Sequence, residues 1–350
     1  MSLALSPQPD ILALRQRRAL VIALGFFVLL CLFVLLGVGL GSSWISPERV
    51  LSVLFGGGEK TEKLIILQLR LPRVVIALLA GGAIAVAGFL LQKVTRNSLA
   101  SPGILGVVDG AALGVVIFLA LLSDESNSLV VPIGWQPLAA FTGAGLAMAA
   151  VFILAGRQAS SATRLLLFGI AIAALCKALT MILMLVGPIY RTTQAARWLA
   201  GAVNEINWGE IGTTAAVLVP LLLLTGLTIR KLPPTDLDAV SAQGVGLDLD
   251  RFRIVVFALA AALTAVAVAF VGAVGFIGLM APHMARLIVG RPVIAGLVVS
   301  FLIGACMLIG ADIVVRALFA PTEVPAGTVT AVLGTPYFLY LLMRREPSNG

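Results

Sequence analysis

Ten apolar runs, each near the roughly 20 residues a helix needs to cross the hydrocarbon of a bilayer, govern what this 350-residue chain can fold into. They fall at about residues 20–40, 73–91, 101–121, 135–155, 164–186, 211–229, 254–271, 274–289, 293–318 and 326–343. No water reaches a backbone in lipid, so such runs must satisfy their own hydrogen bonds as helices. The spacing predicts an all-α polytopic membrane protein of about ten transmembrane helices, with 274–289 the shortest. Composition agrees, because 60% of residues are hydrophobic and 11% charged, against an apolar share of about 45–50% in globular domains.

Charge orients the runs. Arg15, Arg17, Arg18, Lys93, Arg96, Arg157, Arg164, Arg230, Lys231, Arg286, Arg291, Arg344 and Arg345 fall at alternate boundaries, and the others are acidic or mixed, with Glu48, Glu59, Lys60, Glu62 and Lys63 at one and Asp124 and Glu125 at another. Cytoplasmic loops carry the excess of Lys and Arg, so both termini are expected inside. That gives a cytoplasmic tail at 1–19, a single transmembrane unit at 20–343 with a long inner loop at about 230–253, and a second tail at 344–350. The first run exceeds a signal-peptide core and reads as a retained helix. The formal +8 is spread along these loops, which leaves no basic patch for nucleic acid.

Several chemistries are excluded. Cys31, Cys176 and Cys306 lie in apolar runs without paired spacing, so neither disulfide nor zinc is expected. Gly56-Gly-Gly-Glu-Lys-Thr61 lacks the glycine directly before lysine and the preceding strand that a phosphate-binding loop needs. One histidine, His283, and no carboxylate pair give an intramembrane enzyme little support, and no cofactor or metal is expected. A haem ligand would want further His or Tyr partners, so His283 reads as a packing residue.

Four ordered segments carry a resemblance. They are Leu69-Arg-Leu-Pro-Arg73; Asn97-Ser-Leu-Ala-Ser-Pro-Gly-Ile-Leu-Gly106; the glycine-rich run from Gly275 to Arg286; and Ala311-Asp-Ile-Val-Val-Arg316, followed by Glu323 to Gly327 and Gly334 to Phe338. Together the chain resembles the permease subunit of ATP-binding-cassette importers for iron-siderophore complexes, haem and vitamin B12, over about residues 64–343. The resemblance implies the type II importer fold in a bacterial inner membrane. It also implies a second permease subunit, the same chain or a paralogue, two cytoplasmic ATPase subunits, and a periplasmic or lipid-anchored substrate-binding protein. Ferric siderophore is the expected cargo, with haem or cobalamin as the alternative. A rival class, the ion-coupled secondary transporter, is marked by inverted repeats and broken helices.

The resemblance also assigns residues. Arg70, Arg73 and Arg316 match basic sockets for acidic residues of the binding protein, a task that suits the guanidinium fork. They could instead anchor helix ends at headgroups, and Arg316 could pair with Asp312 four residues earlier. The segment Ala239 to Leu249 aligns with the coupling helix seated on the ATPase. Its small residues Ala239, Ala242 and Gly244 would admit a partner, and Ser241, Gln243, Val245 and Gly246 complete it, although family members commonly carry a basic residue and Leu-Gly there. A solvated loop is the plain alternative. Ser160, Ser161 and Thr163 match a cytoplasmic gate, yet such residues also cap helix starts.

Asp109 and Lys177 depart from the family pattern. A charge within an apolar helix needs a partner or a watery cavity. At 1.5 Å per residue they stand about 12 and 20 Å from the inner helix ends, a gap a long lysine spans. A pair across the third and fifth helices is therefore expected, either locking those helices or lining the pathway.

Overall fold

The computed structural model describes residues 9–343 apart from 42–43, 124–128, 157–160, 188, 204–205, 237–238, 245, 291, 320–321 and 323. The described residues form helices α1 Pro9–Gly39, α2 Pro47–Leu54, α3 Lys60–Lys63, α4 Leu71–Thr95, α5 Val107–Leu121, α6 Gln136–Ala155 and α7 Ala162–Val186. They continue with α8 Ile189–Leu199, α9 Trp208–Thr228, α10 Ala239–Gly244, α11 Leu249–Val271, α12 Ile277–Val289, α13 Val293–Leu318 and α14 Ala326–Met343. All ten apolar runs are helical. Seven stretches are long and apolar enough to cross a membrane, while Val107–Leu121 and Ile277–Val289 are shorter apolar helices. The molecule is thus an all-helical, multi-pass membrane protein.

The spine is the stretch Lys60–Thr95, whose most apolar window is 83% buried, against 11% for the first helix. Helices α11, α12 and α13 pack around α4. Small residues let the backbones approach, as membrane helices require when lipid is as apolar as their side chains. At Gly88 of α4, an added Cβ would stand 1.8 Å from the carbonyl oxygen of Gly278 in α12, so the two backbones touch there.

Three local breaks shape the bundle. Pro72 has no N–H to donate, and the turn before it, Leu64–Arg70, widens to a π-helix in which the Leu71 N–H bonds to Ile66 O. The indole of Trp208 donates to the carbonyl of Leu67 in that widened turn at 2.8 Å. The third apolar run is split: Pro102–Leu105 is a 3-10 turn, and Gly106, at φ +75°, starts α5. Between α11 and α12 the chain leaves the helical path in tight turns, with the Val274 N–H on Gly272 O and the Ile277 N–H on Gly275 O, Gly272 at φ +71° and Phe276 at φ +65°. This is why α12 has only 13 residues.

Among the described residues, helix α3, which leads through the π turn into α4, and two further helices were not legible in the sequence. Helix α2 lies between the first two apolar runs, and α8, an amphipathic 11-residue helix, packs on α5 and α7 after the fifth.

Candidate functional site

Arg70, Arg73 and Arg316 converge at one end of the bundle. The π turn rotates Arg70 inward, where it is 7% exposed and its Nη1 donates to the carbonyls of Val38 and Gly39, at 3.1 and 2.8 Å. Arg316 Nη1 donates to Leu40 O. These carbonyls close the C-terminal end of α1, where the helix leaves acceptors unpaired and favours positive charge. Asp312, 1% exposed, takes Arg73 on Oδ1, with Nε at 2.8 Å and Nη2 at 2.7 Å, and Arg316 Nε on Oδ2 at 3.0 Å. The sequence allowed the Asp312–Arg316 pair; that Arg73 shares the same carboxylate is a tertiary fact. Arg70 is turned into the chain, so its guanidinium serves the end of α1. Three cations against one carboxylate leave this end positive, and Arg73 is its more open member, with 22% side-chain exposure against 13% for Arg316.

The opposite end carries the loop between α9 and α11. A 3-10 turn at Pro233–Asp236 precedes α10, and Leu247 N–H closes back on Ala242 O at 2.9 Å. A short helix therefore stands where the resemblance placed one. Ala242 is fully buried within the chain, so its methyl group packs on the protein's own core. Ser241 is exposed, and Gly244 and Gly246 are exposed with open space around their Cα atoms. Val245 and Ser160 lie outside the described residues, and so do the side-chain surroundings of Ala239 and Gln243. Ser161 is the N-cap of α7 but its hydroxyl makes no capping bond, and Thr163, in the first turn, is exposed. Helix capping therefore does not use the Ser161 hydroxyl.

Between the two ends, a cleft of about 160 Å³ opens beside the glycine-rich segment between α11 and α12, lined by Ser101, Asp109, Thr264, Gly275, Phe276 and Gly278. Asp109 reaches it because Gly106 starts α5 only three residues earlier. Asp109 and Lys177 are carried by helices α5 and α7, which pack together. They form no direct ion pair: Lys177 is exposed on α7, whereas Asp109 is turned toward the glycine-rich segment. The Phe276 ring presses on Gly334 of α14, where a Cβ would stand 2.3 Å from Phe276 Cγ. His283 is buried, edge-on to Tyr337 with ring centroids 6.1 Å apart, and its Nδ1 lies 3.4 Å from Arg286 Nη2. Its surroundings are those of a packing residue.

The chain is similar to known proteins in sequence and in fold. One is YfhA of Bacillus subtilis (strain 168), a probable siderophore transport system permease protein, 40% identical over 333 residues that cover 95% of this chain and 97% of that protein. The cobalamin import system permease protein BtuC of Halobacterium salinarum is 38% identical over 291 residues, covering 83% of this chain and 76% of that one. Among solved structures, an inward-facing metal-chelate type ABC transporter superposes with a TM-score of 0.81 at 26% identity, covering 92% of this chain and 98% of its counterpart. The family model for FecCD transport proteins matches residues 29–344, from within α1 to beyond α14, and so takes in both broken helices, the arginine cluster and the loop. A match of that extent, on a fold whose breaks lie where the resembling segments lie, makes this chain a member of the FecCD transport family.

Proposed function

We propose that the chain is one half of the membrane conduit of an ATP-binding-cassette importer and that its cargo is a ferric siderophore. The single observation that carries the reading is the spatial order along α4: a positive arginine cluster at one end, a glycine-lined cleft beside it, and a short exposed helix at the other end. A passive conduit driven from outside itself needs those three parts. In this reading the cluster faces the periplasm and receives acidic residues of a binding protein, chiefly through Arg73 and Arg316. Helix α10 faces the cytoplasm and meets an ATPase subunit through Ser241, Gln243, Gly244 and Gly246. Ser160, Ser161 and Thr163 line the cytoplasmic gate. Ten crossings with both termini cytoplasmic complete the topology, with Val107–Leu121 and Ile277–Val289 spanning as broken helices. A second copy or a paralogue supplies the other half of the pathway, and the assembly resides in the bacterial inner membrane.

Siderophore is preferred because YfhA matches nearly the whole chain. The similarity to BtuC supports cobalamin as the second reading. Broken helices also occur in secondary transporters, so they do not choose between energy sources; the family match does.

The test is uptake by proteoliposomes holding the complete assembly and loaded with ATP. Radio-iron-labelled ferric hydroxamate, supplied with its binding protein, accumulates only with ATP and its partner ATPase, and a protonophore leaves the rate unchanged. Accumulation without the ATPase would overturn the reading. Labelled cobalamin taken up in place of iron would select the alternative cargo.

A further inference from the structure

Two side chains at the loop end of α4 reach the two parts of the chain that a driven conduit must move together. Gln92, 5% exposed, donates from Nε2 to the carbonyl of Leu279 at 3.0 Å, in the first turn of α12 after the glycine-rich break. Arg96, one helical turn further on, donates from Nε and Nη2 to the carbonyl of Thr235, at 2.8 and 2.6 Å, in the 3-10 turn that leads into α10. Thr235 is itself buried, and its hydroxyl donates to Leu232 O at 2.6 Å. The acceptor side of the clamp is therefore buried, while Arg96 itself is exposed.

The backbone gives a second, independent indication. Arg96 and Phe276 are the non-glycine residues with positive φ among those described, at +53° and +65°. Glycine would take either conformation without strain, and strained residues persist where the surrounding structure uses them. One ends α4 at the loop; the other starts α12 at the break. Between them the Gly88 and Gly278 backbones touch, so α12 cannot shift along α4 without a response in the packing.

We infer that Gln92 and Arg96 are positioning residues that make the last turns of α4 the joint between the α10 loop and the glycine-rich break. A displacement of the loop pulls on Thr235, is carried by Arg96 into α4, and reaches Leu279 through Gln92. The inference rests on reading α10 as the ATPase contact. Coupling of this kind needs hydrogen-bonded, packed elements whose arrangement both sites bias.

The experiment measures ATP hydrolysed per radio-iron-labelled ferric hydroxamate imported by the complete reconstituted assembly. Arg96→Gly keeps the left-handed turn and removes the guanidinium; the ratio is expected to rise about tenfold while the ATPase still co-purifies with the chain. Arg96→Lys restores a donor and brings the ratio back to within about threefold of the unaltered chain. An unchanged ratio in Arg96→Gly overturns the joint. If that variant does not assemble, Gln92→Ala decides: a raised ratio supports the joint, and an unaltered one overturns it. An unaltered chain that never co-purifies with an ATPase sinks the coupling reading itself, a separate outcome.

Discussion

Arg73 and Asp312, 239 residues apart in the chain, are joined by two contacts of 2.8 and 2.7 Å, and the second oxygen of the same carboxylate holds Arg316. One buried anion thus sets the positions of two guanidinium groups on two helices. It ties α4 to α13 and leaves a surplus of positive charge.

Removing that anion is expected to be costly. Asp312→Asn leaves two facing cations without their counter-charge, and breaking a buried pair from one side costs about 3–5 kcal/mol. Thermal unfolding in detergent should fall by much more for Asp312→Asn than for Arg73→Gln, whose side chain is partly open to solvent.

Docking and folding should separate at this cluster. Arg73→Gln is expected to weaken binding of the substrate-binding protein about tenfold and to flatten its salt dependence. Arg70→Gln, which withdraws donors from the carbonyls ending α1, should instead lower stability by about 1–3 kcal/mol. Titrations at two ionic strengths, alongside melting curves, distinguish the two effects.

Packing at the helix crossing should be intolerant at one glycine and permissive at another. Gly88→Ala drives a methyl into the Gly278 carbonyl and is expected to cost about 3 kcal/mol or more. Gly275, in the same glycine-rich run as Gly278, has open space around it, so Gly275→Ala should stay within about 0.5 kcal/mol. Folded yield by size-exclusion chromatography reads the difference.

The α10 loop offers a matched pair. Ala242→Trp should unfold the loop locally and lower stability, because Ala242 is buried inside the chain. Gly244→Trp is expected to leave the chain folded and to abolish co-purification of the ATPase. A stable Ala242→Trp chain would contradict the placement of α10.

Asp109 and Lys177 should behave as nearly independent charges. With no direct ion pair between them, a double-mutant cycle of Asp109→Asn and Lys177→Met is expected to give a coupling below about 0.5 kcal/mol in stability. A larger coupling would mean that the pair closes.

The pattern of apolar runs was enough to place a helix at each run, because a backbone in lipid has no other way to satisfy itself. Motif order gave the family and the approximate seats of Arg73, Arg316 and α10. Residue spacing along one helix made the Asp312–Arg316 pair legible, since both partners share a face. It could not show that Arg73 takes the other oxygen, because that contact depends on how α4 and α13 cross. Nor could it show that Arg70 turns inward, which follows from a π turn before Pro72. Ala242 and Gly244 are both small residues of one short helix, and only the packing of that helix on its own chain determines which of them is buried and which exposed. Local chemistry fixes where helices form and end; which face is buried, and which charge meets which, is set by contacts between segments far apart in the chain.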